Sequence, residues 1–392
     1  MKTFCIFTAN YLPYLGGIER NTSKISKYLI TAGYNVIIVT SNVFRLNDFE
    51  IKDNVKIYRM PCLNLLKGRF PVLKKNKLFF KLNRQLLDEP VDYVIVNTRF
   101  YRHSLYGVKF AQKVNAPCIV HERGTGHFTI NNIFFDVLGH LYEHLITACL
   151  KQYPLRFFGV SEACNEWLEH FGIRSTGVIY NAIDISEVNN YTKKPEIDYR
   201  SKLQLSSDDI IITFTGRLVK EKGLLKLIEA VKIINKTKRN VYLFIAGDGP
   251  LQDDLKVMAD SNIFVLGRID SSKIFALLSQ TDIFCLPTDY PEGFPTSVME
   301  AVACHCFCIT TTRGGSKELI IDDSYGIILE QNTPETIVSA IEKAISDPVY
   351  RQNTTNNAYE RLVNNFSWEN TVEKFVQSFK VEQERMSHEY GL

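Results

Sequence analysis

A repeated alternation of short apolar runs and helix-length segments is the feature that most constrains the fold of this chain. The strand candidates are 3–8, 35–40, 55–58, 93–96, 118–121 and 157–160 in the first half, and 210–215, 242–246, 264–266, 283–286, 307–310 and 326–329 in the second. Helix-length segments separate many of them, for example 19–32, 72–87, 104–114, 131–152, 224–235 and 334–346. Strands that alternate with helices are typical of parallel sheets covered on both faces. The sequence therefore predicts an α/β protein with two doubly wound parallel sheets.

The polar stretch 184–209 is predicted to be a linker, because it is rich in turn-forming Asn, Pro and Ser. We expect a first domain over residues 1–183, this linker, a second domain over 210–365, and a C-terminal helix over 366–392 that packs back toward the first domain. Ligands of open parallel sheets bind at the carboxyl ends of the strands. Two such domains facing each other would place a site in the cleft between them.

Composition excludes several other classes of protein. Of 392 residues, 45% are apolar and 23% are charged, which excludes disordered, collagen-like and coiled-coil chains. No continuous apolar run approaches the ~18 residues of a membrane-spanning helix, and Asn10 interrupts the first apolar segment too early for a signal peptide. The nine cysteines form no C-x-x-C pair, which predicts reduced thiols. We expect a cytoplasmic protein.

The two halves of the chain carry opposite charge. Residues 1–180 have 23 Lys+Arg and 13 Asp+Glu, whereas residues 181–392 have 23 and 30, so the net charges are +10 and −7. A basic half indicates a phosphate-bearing partner: nucleic acid, anionic lipid or a phosphorylated acceptor. No recognition helix, zinc finger or aromatic RNA-binding motif accompanies it, and we expect no nucleic-acid partner.

The segment DYPEGFPTSVME, residues 289–300, carries the most specific chemical pattern. It follows a predicted strand and leads into a helix that Pro295 can begin, since a first helical turn does not need the N–H that proline lacks. The loop comprises Glu292, Gly293, Phe294, Pro295 and Thr296, and it places free backbone N–H groups where an anion can bind. Glu292 and Glu300 can accept hydrogen bonds from hydroxyls at the two ends of an elongated ligand. The alternative is an ordinary strand–loop–helix junction with two solvated acids.

Four further glycine-containing segments follow predicted strands. They are LGGIER at 15–20, FTGRLVKEKG at 214–223, AGDGP at 246–250 and RGGSKE at 313–318. In the second of them, Arg217 and Lys222 follow the strand that ends at Gly216, and two cations at such a position suit a diphosphate. Each segment alone is a weak signal, because glycines at strand ends are commonly part of a turn.

Taken together and in this order, these segments resemble the family-4 retaining glycosyltransferases, which have two Rossmann-like domains (the GT-B fold). The resemblance covers nearly the whole chain, from Gly16 and Gly17 through VIYNAID at 178–184 to the E-x7-E signature formed by Glu292 and Glu300. One segment departs from the family: ACHCFC at 303–308 stands where a Gly-x-Pro turn is usual. Zinc ligands only two residues apart on a strand do not close a tetrahedron, and we expect these cysteines to be small buried residues.

The resemblance also implies a role for each candidate residue. Arg217 and Lys222 would hold the donor diphosphate, Glu300 the nucleotide ribose and Glu292 the hydroxyls of the transferred sugar. His121 matches the family's active-site histidine. The remaining donor-binding candidates are Gly16 and Gly17, whose loop would close over the phosphates or the acceptor, and Gly216, Gly293, Phe294, Pro295 and Thr296.

The implied reaction moves a sugar from a nucleotide diphosphate sugar, UDP-linked rather than GDP-linked, to a hydroxyl of a glycan acceptor, with retention of the anomeric configuration. The implied context is assembly of surface polysaccharide or O-antigen on a lipid-linked carrier. No cofactor is expected, since the nucleotide sugar is a co-substrate. The sequence contains no Asp-x-Asp pair that would indicate a metal site, and we expect a metal-independent enzyme. Two alternatives remain: a sugar-nucleotide epimerase of the same architecture, and a noncatalytic scaffold subunit of a glycan assembly complex.

A basic stretch in the first half predicts contact with a membrane. Residues 67–84 contain seven Lys/Arg and no acid. Projected on a helix, one stripe comprises Lys74, Lys77, Lys81 and Arg84, and the opposite stripe comprises Val72, Phe79, Leu82 and Leu86. This pattern is typical of an interfacial helix on anionic lipid, and it places the protein at the inner face of the cytoplasmic membrane. The alternative is a helix whose apolar face packs on the sheet and whose basic face is solvated.

Overall fold

The chain forms two compact units. The structure is a computed structural model that describes residues 1–14, 16–130, 132–237 and 240–390; Leu15 and Asn131, which begin a predicted motif and a predicted helix, lie outside the described residues. Unit 1 comprises Met1–Asn181 together with the chain from Trp368 onward, and unit 2 comprises Ala182–Ser367.

Unit 1 is built on an eight-stranded sheet in the order β10-β9-β8-β7-β1-β2-β4-β3, parallel except for β3. The strands of this unit are β1 (Thr3–Phe7), β2 (Asn35–Ser41), β3 (Phe49–Lys52), β4 (Val55–Met60), β5 (Cys62–Leu65), β6 (Phe70–Leu73), β7 (Tyr93–Asn97), β8 (Cys118–Glu122), β9 (Arg156–Gly159) and β10 (Gly177–Val178). Its first five helices are α1 (Gly17–Thr31), α2 (Lys77–Leu87), α3 (Arg102–Lys113), α4 (Ile133–Leu150) and α5 (Glu162–Glu169). Strands β5 and β6 form a separate antiparallel hairpin.

The predicted helix 72–87 is shorter in the structure than the sequence pattern indicated. Residues Phe70–Leu73 are strand β6, and α2 begins at Lys77 because the side chain of Asn76 accepts a hydrogen bond from the N–H of Phe79 and caps the helix. Lys74 therefore precedes the helix, whereas the projection had placed it on the helical stripe. The sequence pattern predicted one long helix because the apolar residues of strand β6 are followed closely by those of α2.

Unit 2 is built on a six-stranded parallel sheet in the order β13-β12-β11-β14-β15-β16. Its strands are β11 (Ile210–Thr215), β12 (Val241–Ala246), β13 (Ile263–Gly267), β14 (Ile283–Leu286), β15 (Phe307–Thr311) and β16 (Ile327–Leu329). Its helices are α6 (Ile185–Thr192), α7 (Tyr199–Lys202), α8 (Leu224–Asn235), α9 (Gln252–Met258), α10 (Ser271–Leu278), α11 (Thr296–Ala303), α12 (Ser316–Leu319), α13 (Pro334–Ser346) and α14 (Pro348–Asn365). Parallel strands with intervening helices in both units confirm the predicted doubly wound α/β class.

The stretch 184–209, which was predicted to be a linker, contains helices α6 and α7 and belongs to unit 2. Asp184 and Asp198 cap these helices, since their carboxylates accept hydrogen bonds from the backbone N–H groups of Glu187 and Ser201. Tyr199 is buried, and its ring lies 5.3 Å from that of Phe244. The 184–209 segment is polar in composition, but helix caps and the buried Tyr199 ring hold it on unit 2.

The last helix, α15 (Trp368–Tyr390), belongs to unit 1. Its Phe379 ring lies 5.6 Å from Phe4 and 4.8 Å from Tyr93, two residues of the central strands β1 and β7. The chain therefore returns at its end to the unit in which it began.

Helix α4 exposes a large apolar surface, and its buried face contains both polar and apolar residues. Glu143, Ile146, Thr147 and Leu150 are buried, whereas a set of large apolar residues is 48–87% exposed: Ile133, Phe134, Phe135, Val137, Leu138, Leu141 and Leu145. Its 18 residues have a mean hydropathy of 1.2, and by length and composition alone this is one helix that could cross a membrane. This helix is not a continuous apolar run in the sequence, because Asp136, His140 and Glu143 interrupt it; the expectation that the chain has no segment of membrane-spanning length is corrected here.

Candidate active site

The predicted donor-binding residues of unit 2 meet at the point where the strand order reverses. Strands β11 and β14 are neighbours in the sheet, and the chain proceeds outward from them in opposite directions. The loop after β11 carries Gly216 and Arg217, and the loop after β14 carries Glu292. Crevices outside the carboxyl ends of strands at such a switch point are the usual ligand sites of open α/β sheets.

An ion pair joins the two loops. The ammonium of Lys222 contacts Glu292 Oε1, and both side chains are about nine-tenths buried. The hydroxyl of Thr288 donates to the same carboxylate oxygen over 3.3 Å and accepts a hydrogen bond from the N–H of Tyr290. The carboxylate of Glu292 is therefore fixed by a cation and a hydroxyl.

Both predicted phosphate-binding cations lie over the ring of Tyr290. The guanidinium carbon of Arg217 is 4.8 Å from the centre of the Tyr290 ring, and the Lys222 ammonium is 5.5 Å from it. Arg217 itself is exposed, whereas Lys222 is buried. Tyr290 lies within the 289–300 segment but has no signal in the sequence that marks it as functional, because an aromatic residue next to a loop has no specific spacing.

Glycines bring these loops together. Gly223 has φ 72°, and a Cβ there would collide with the carbonyl of Pro287 at the end of β14. Gly315 faces the ring of Phe294 so closely that a Cβ would overlap it, and the Gly315 N–H donates to the Gly293 carbonyl over 2.8 Å. The Gly314-Gly315 segment thus supports the Glu292 loop from behind. Close approach explains why these positions hold glycine.

Helix α11 follows the Glu292 loop. Pro295 occupies its N-cap position and Thr296 its first turn, and Glu300 lies on the same helix, partly exposed. The helix ends at Ala303 with Cys304 as its C-cap, and His305 follows in the left-handed region with φ 58°. The thiols of Cys304, Cys306 and Cys308 are buried, as expected, and burial raises their pKa values, which favours protonated thiols rather than zinc-binding thiolates.

In unit 1, His121 lies at the end of β8 and is fully buried. Its Nε2 is 2.9 Å from the carbonyl oxygen of Ile179, and its Nδ1 is 3.3 Å from Nη2 of Arg123. Burial and the neighbouring Arg123 charge lower the pKa of His121, which favours the neutral ring. With both nitrogens partnered inside the protein, His121 positions Arg123 in this structure, and its predicted contact with the reacting sugar stays a prediction.

Arg123 is the centre of a polar network that sequence reasoning missed. Its Nη1 donates to Asn181 Oδ1 over 2.9 Å and its Nε to Asn97 Oδ1 over 3.3 Å. Asn97 ends β7, which is the neighbour of β1 at the reversal of strand order in this sheet. These residues are distant in sequence and meet only because parallel strands end at one edge.

Gly16 and Gly17 lie at the start of α1, which follows the loop after β1. The carboxylate of Glu19 folds back toward Gly16, and its Oε2 would have to move to make room for a Cβ there. Glu19 is buried, and burial raises the pKa of its carboxyl to about 7, against the opposing effect of the Arg123 charge. The first turn of α1 therefore holds a carboxyl group whose pKa is raised by burial.

The predicted membrane-contact residues are solvent-exposed: Lys74, Lys77, Lys81 and Arg84. The opposite stripe of α2 does not face outward. Phe79, Leu82 and Leu86 are at most 4% exposed and belong to the core of unit 1. The apolar stripe of this helix is thus committed to the sheet, which leaves only the basic face for any external partner.

Two family models match this chain, one in each half. The family model "Glycosyltransferase Family 4" matches residues 15–187, and "Glycosyl transferases group 1" matches residues 196–361. A glycosyltransferase of Methanocaldococcus jannaschii, whose activity is uncharacterized, is 27% identical over 96% of this chain and 97% of its own. The Escherichia coli UDP-Gal:alpha-D-GlcNAc-diphosphoundecaprenol alpha-1,3-galactosyltransferase is 23% identical over 93% of each chain.

The fold has solved counterparts as well. The crystal structure of Anabaena HepE in complex with UDP has a TM-score of 0.72 to this chain at 17% identity, covering 97% of this chain and 100% of that one. At this identity the likeness concerns the fold alone. The two family models together match most of the chain, one in each half, and each half contains a doubly wound parallel sheet, so this chain belongs to family 4 of the glycosyltransferases.

Proposed function

We propose that the protein transfers a sugar from a UDP-sugar to a hydroxyl of a lipid-linked glycan, with retention of configuration, in surface polysaccharide or O-antigen assembly. The observation that carries the proposal is the joint position of Arg217, Lys222 and Glu292 at the switch point of unit 2. Two cations and a fixed carboxylate at that edge suit a ligand with a diphosphate at one end and sugar hydroxyls at the other.

The chemistry required of these residues is electrostatic. Cleavage of the anomeric bond leaves negative charge on the departing diphosphate, and preorganised cations stabilise that charge more in the transition state than in the ground state. The carboxylate of Glu292 is already neutralised by Lys222, which makes it a poor covalent nucleophile and a good acceptor for sugar hydroxyls. In the proposed route the departing phosphate takes the proton of the acceptor hydroxyl on the same face of the sugar, and retention follows.

The choice of donor and acceptor rests on relatives. The E. coli relative is named for a UDP-Gal donor and a GlcNAc-diphosphoundecaprenol acceptor, and the Anabaena structure holds UDP. We extend both properties to this chain: a uridine donor, and an acceptor attached to a lipid diphosphate. Such an acceptor resides at a membrane surface, and the protein must reach it there.

We further propose that unit 1 contacts the cytoplasmic face of an anionic membrane through two adjacent elements. The exposed apolar stripe of α4, formed by Phe134, Leu138, Leu141 and Leu145, suits the boundary between headgroups and acyl chains. The exposed cations of 74–84 suit anionic headgroups. Phe70, at the start of β6, lies 5.6 Å from Tyr142 of α4, and Lys74 follows only about 13 Å along the chain, so the two elements are neighbours.

The proposed activity is tested by screening purified protein with a panel of UDP- and GDP-sugars, with and without undecaprenyl diphosphate-linked GlcNAc. We expect nucleotide release from a UDP-sugar that rises when the acceptor is present, and a product with the donor's anomeric configuration by NMR. Interconversion of the donor sugar without transfer would identify an epimerase instead. No turnover or nucleotide binding with any donor would favour a noncatalytic subunit.

A further inference from the structure

Three histidines gather in unit 1, outside the residues assigned to sugar transfer. His127 lies in the segment after β8, His144 on α4 and His170 at the C-terminal end of α5. One ring nitrogen of each lies within 4.8 Å of those of the other two. The three residues come from separate elements, so their spacing in the sequence gives no metal-site pattern.

We propose that His127, His144 and His170 bind one transition-metal ion of the Zn²⁺ class. The ring centres are 5.8 Å apart for His127 and His144, 5.3 Å for His127 and His170, and 5.2 Å for His144 and His170. Three imidazoles bound to one tetrahedral ion through bonds of about 2.1 Å have ring centres roughly 5 Å apart. The ring centres therefore stand near the separations that a shared ion requires. Binding would draw the three nitrogens, which lie within 4.8 Å of one another, to roughly 3.4 Å.

A buried carboxylate orients the least exposed of the three ligands. Nδ1 of His127 is 3.1 Å from Oε2 of Glu143, which leaves Nε2 of the ring for the ion. A metal-binding histidine commonly donates its second N–H to a carboxylate in this way, which fixes the tautomer and raises the basicity of the ligand. Glu143 is held in turn by Arg99 at 3.2 Å.

The local charge favours a divalent cation. Arg99 pairs with the carboxylates of both Glu122 and Glu143, all three side chains are at most 3% exposed, and the formal charge of the group is −1. Neutral imidazoles select Zn²⁺ and its neighbours over Mg²⁺ or Ca²⁺, which prefer oxygen ligands. His144 and His170 are exposed, so an ion can enter from solvent and keep water in its fourth position.

The site fastens α4 to the body of unit 1. An ion bound there joins the segment after β8, the middle of α4 and the end of α5. The outer stripe of α4 makes few contacts with the protein, and a metal cross-link on its flank reduces the freedom of the helix to detach. This inference does not depend on the proposed reaction.

The test uses untagged protein freed of metal by a chelator and titrated with ZnCl₂ by calorimetry in a non-coordinating buffer. We expect one Zn²⁺ per chain, competition by Co²⁺ with the absorption bands of a four-coordinate ion, and no competition by millimolar Mg²⁺. Removing one ligand should weaken Zn²⁺ binding by at least the roughly 10- to 100-fold that loss of an outer-shell partner costs.

The informative variants are His144→Ala and His170→Ala, which change exposed side chains and leave the core intact. His305→Ala, in unit 2, is the control and should bind Zn²⁺ as the wild type does. Hydrogen exchange should show that Zn²⁺ slows exchange in α4 of the wild type but not of the two ligand variants. Absence of saturable 1:1 binding, or wild-type affinity in both ligand variants, would overturn the proposal.

Discussion

At the scale of single residues, Arg217 and Lys222 both lie near Tyr290 but differ in burial, and the first prediction concerns this pair. Arg217→Ala and Lys222→Ala should each lower turnover at least ~10²-fold, because each removes a donor to the departing diphosphate. Arg217 is exposed, so its variant should retain wild-type stability, whereas Lys222→Ala leaves the buried Glu292 carboxylate without its cation and should also lower the free energy of unfolding. Turnover and denaturant midpoints measure the two effects.

The control for this pair is Lys226→Ala. Lys226 lies on α8 near the same loops and pairs with Asp289 at 3.0 Å, but both side chains are 40% exposed or more. Its loss should change turnover less than about threefold, since exposed ion pairs contribute little. Near-normal turnover in both Arg217→Ala and Lys222→Ala would remove these residues from the donor site.

The two glutamates of the 289–300 segment should separate by function. Glu292→Gln is expected to damage sugar transfer more than UDP binding, because Glu292 is placed to accept sugar hydroxyls beside Lys222. Glu300→Gln should weaken binding of free UDP, because the ribose lies at the other end of the donor. Calorimetry with UDP and steady-state kinetics distinguish the two; a reversed order would exchange the roles.

Glu19 gives a prediction about pH. Its folded-state pKa of about 7 lies above the ordinary value of 4.5, so between these values the folded state holds a proton that the unfolded chain has lost. The free energy of unfolding should therefore fall as pH rises from about 4.5 to 8. Glu19→Gln lacks this titration, and the difference between variant and wild type should change by up to about 3 kcal/mol over that range. Urea denaturation at pH 4.5, 6 and 8 measures it; parallel curves would contradict the pKa shift.

Sugar transfer is expected to need no divalent ion. In the proposed donor site, Arg217 and Lys222 would supply positive charge where a metal would otherwise bridge the phosphates. Turnover with a water-soluble acceptor analogue should survive EDTA within about twofold, while EDTA removes any ion from the His127 group. Loss of turnover in EDTA with recovery in Mg²⁺ rather than Zn²⁺ would assign a metal to the reaction itself.

At the scale of elements, the strands were predictable and their partners were not. Every strand of the two large sheets except β3 and the two-residue β10 was expected within two residues or so, because buried parallel strands are short continuous apolar runs between turn residues. The hairpin of β5 and β6 was missed: Leu63 and Leu65 are exposed, and no alternation marks them. For the apolar stripe of α2, packing on the sheet and contact with a membrane were both open from the sequence. Amphipathic periodicity shows that one face of a helix is apolar but not what covers that face.

In the candidate site as well, residues close together in the sequence could be predicted, whereas contacts between distant residues could not. Residues next to one another in a strand-end loop, such as Arg217 and Lys222, were found from sequence because glycine and charge mark the loop. Arg123, Asn97 and Asn181 were not, because each is unremarkable alone and they meet only through the order of strands in the sheet. The histidine cluster escaped for the same reason.

At the scale of the whole molecule, the excess positive charge and most of the exposed apolar side chains both belong to unit 1. Residues 1–180 carry the excess of Lys and Arg, and most of the exposed large apolar residues of the described chain also lie in unit 1, on α4, the β5 hairpin and nearby loops. Large exposed apolar patches on a protein mark interaction sites. An anionic membrane surface matches both properties, which neither a polar ligand nor a nucleic acid does.

The last prediction concerns this surface and is measured by sedimentation with lipid vesicles. Wild-type protein should pellet with vesicles containing anionic lipid at low salt and much less with neutral vesicles. Cations near a membrane contribute about 1 kcal/mol each, so Lys74→Glu, Lys77→Glu and Lys81→Glu together should weaken the partition at least ~10²-fold. The matched control reverses Lys193, Lys194 and Lys236, which are exposed in unit 2, and should pellet as the wild type does. Leu138→Ser with Leu141→Ser should lower the fraction that remains bound at high salt, because apolar insertion is not screened by ions. Binding that ignores lipid charge and salt and survives both sets of substitutions would mean that unit 1 uses these cations and α4 for another purpose.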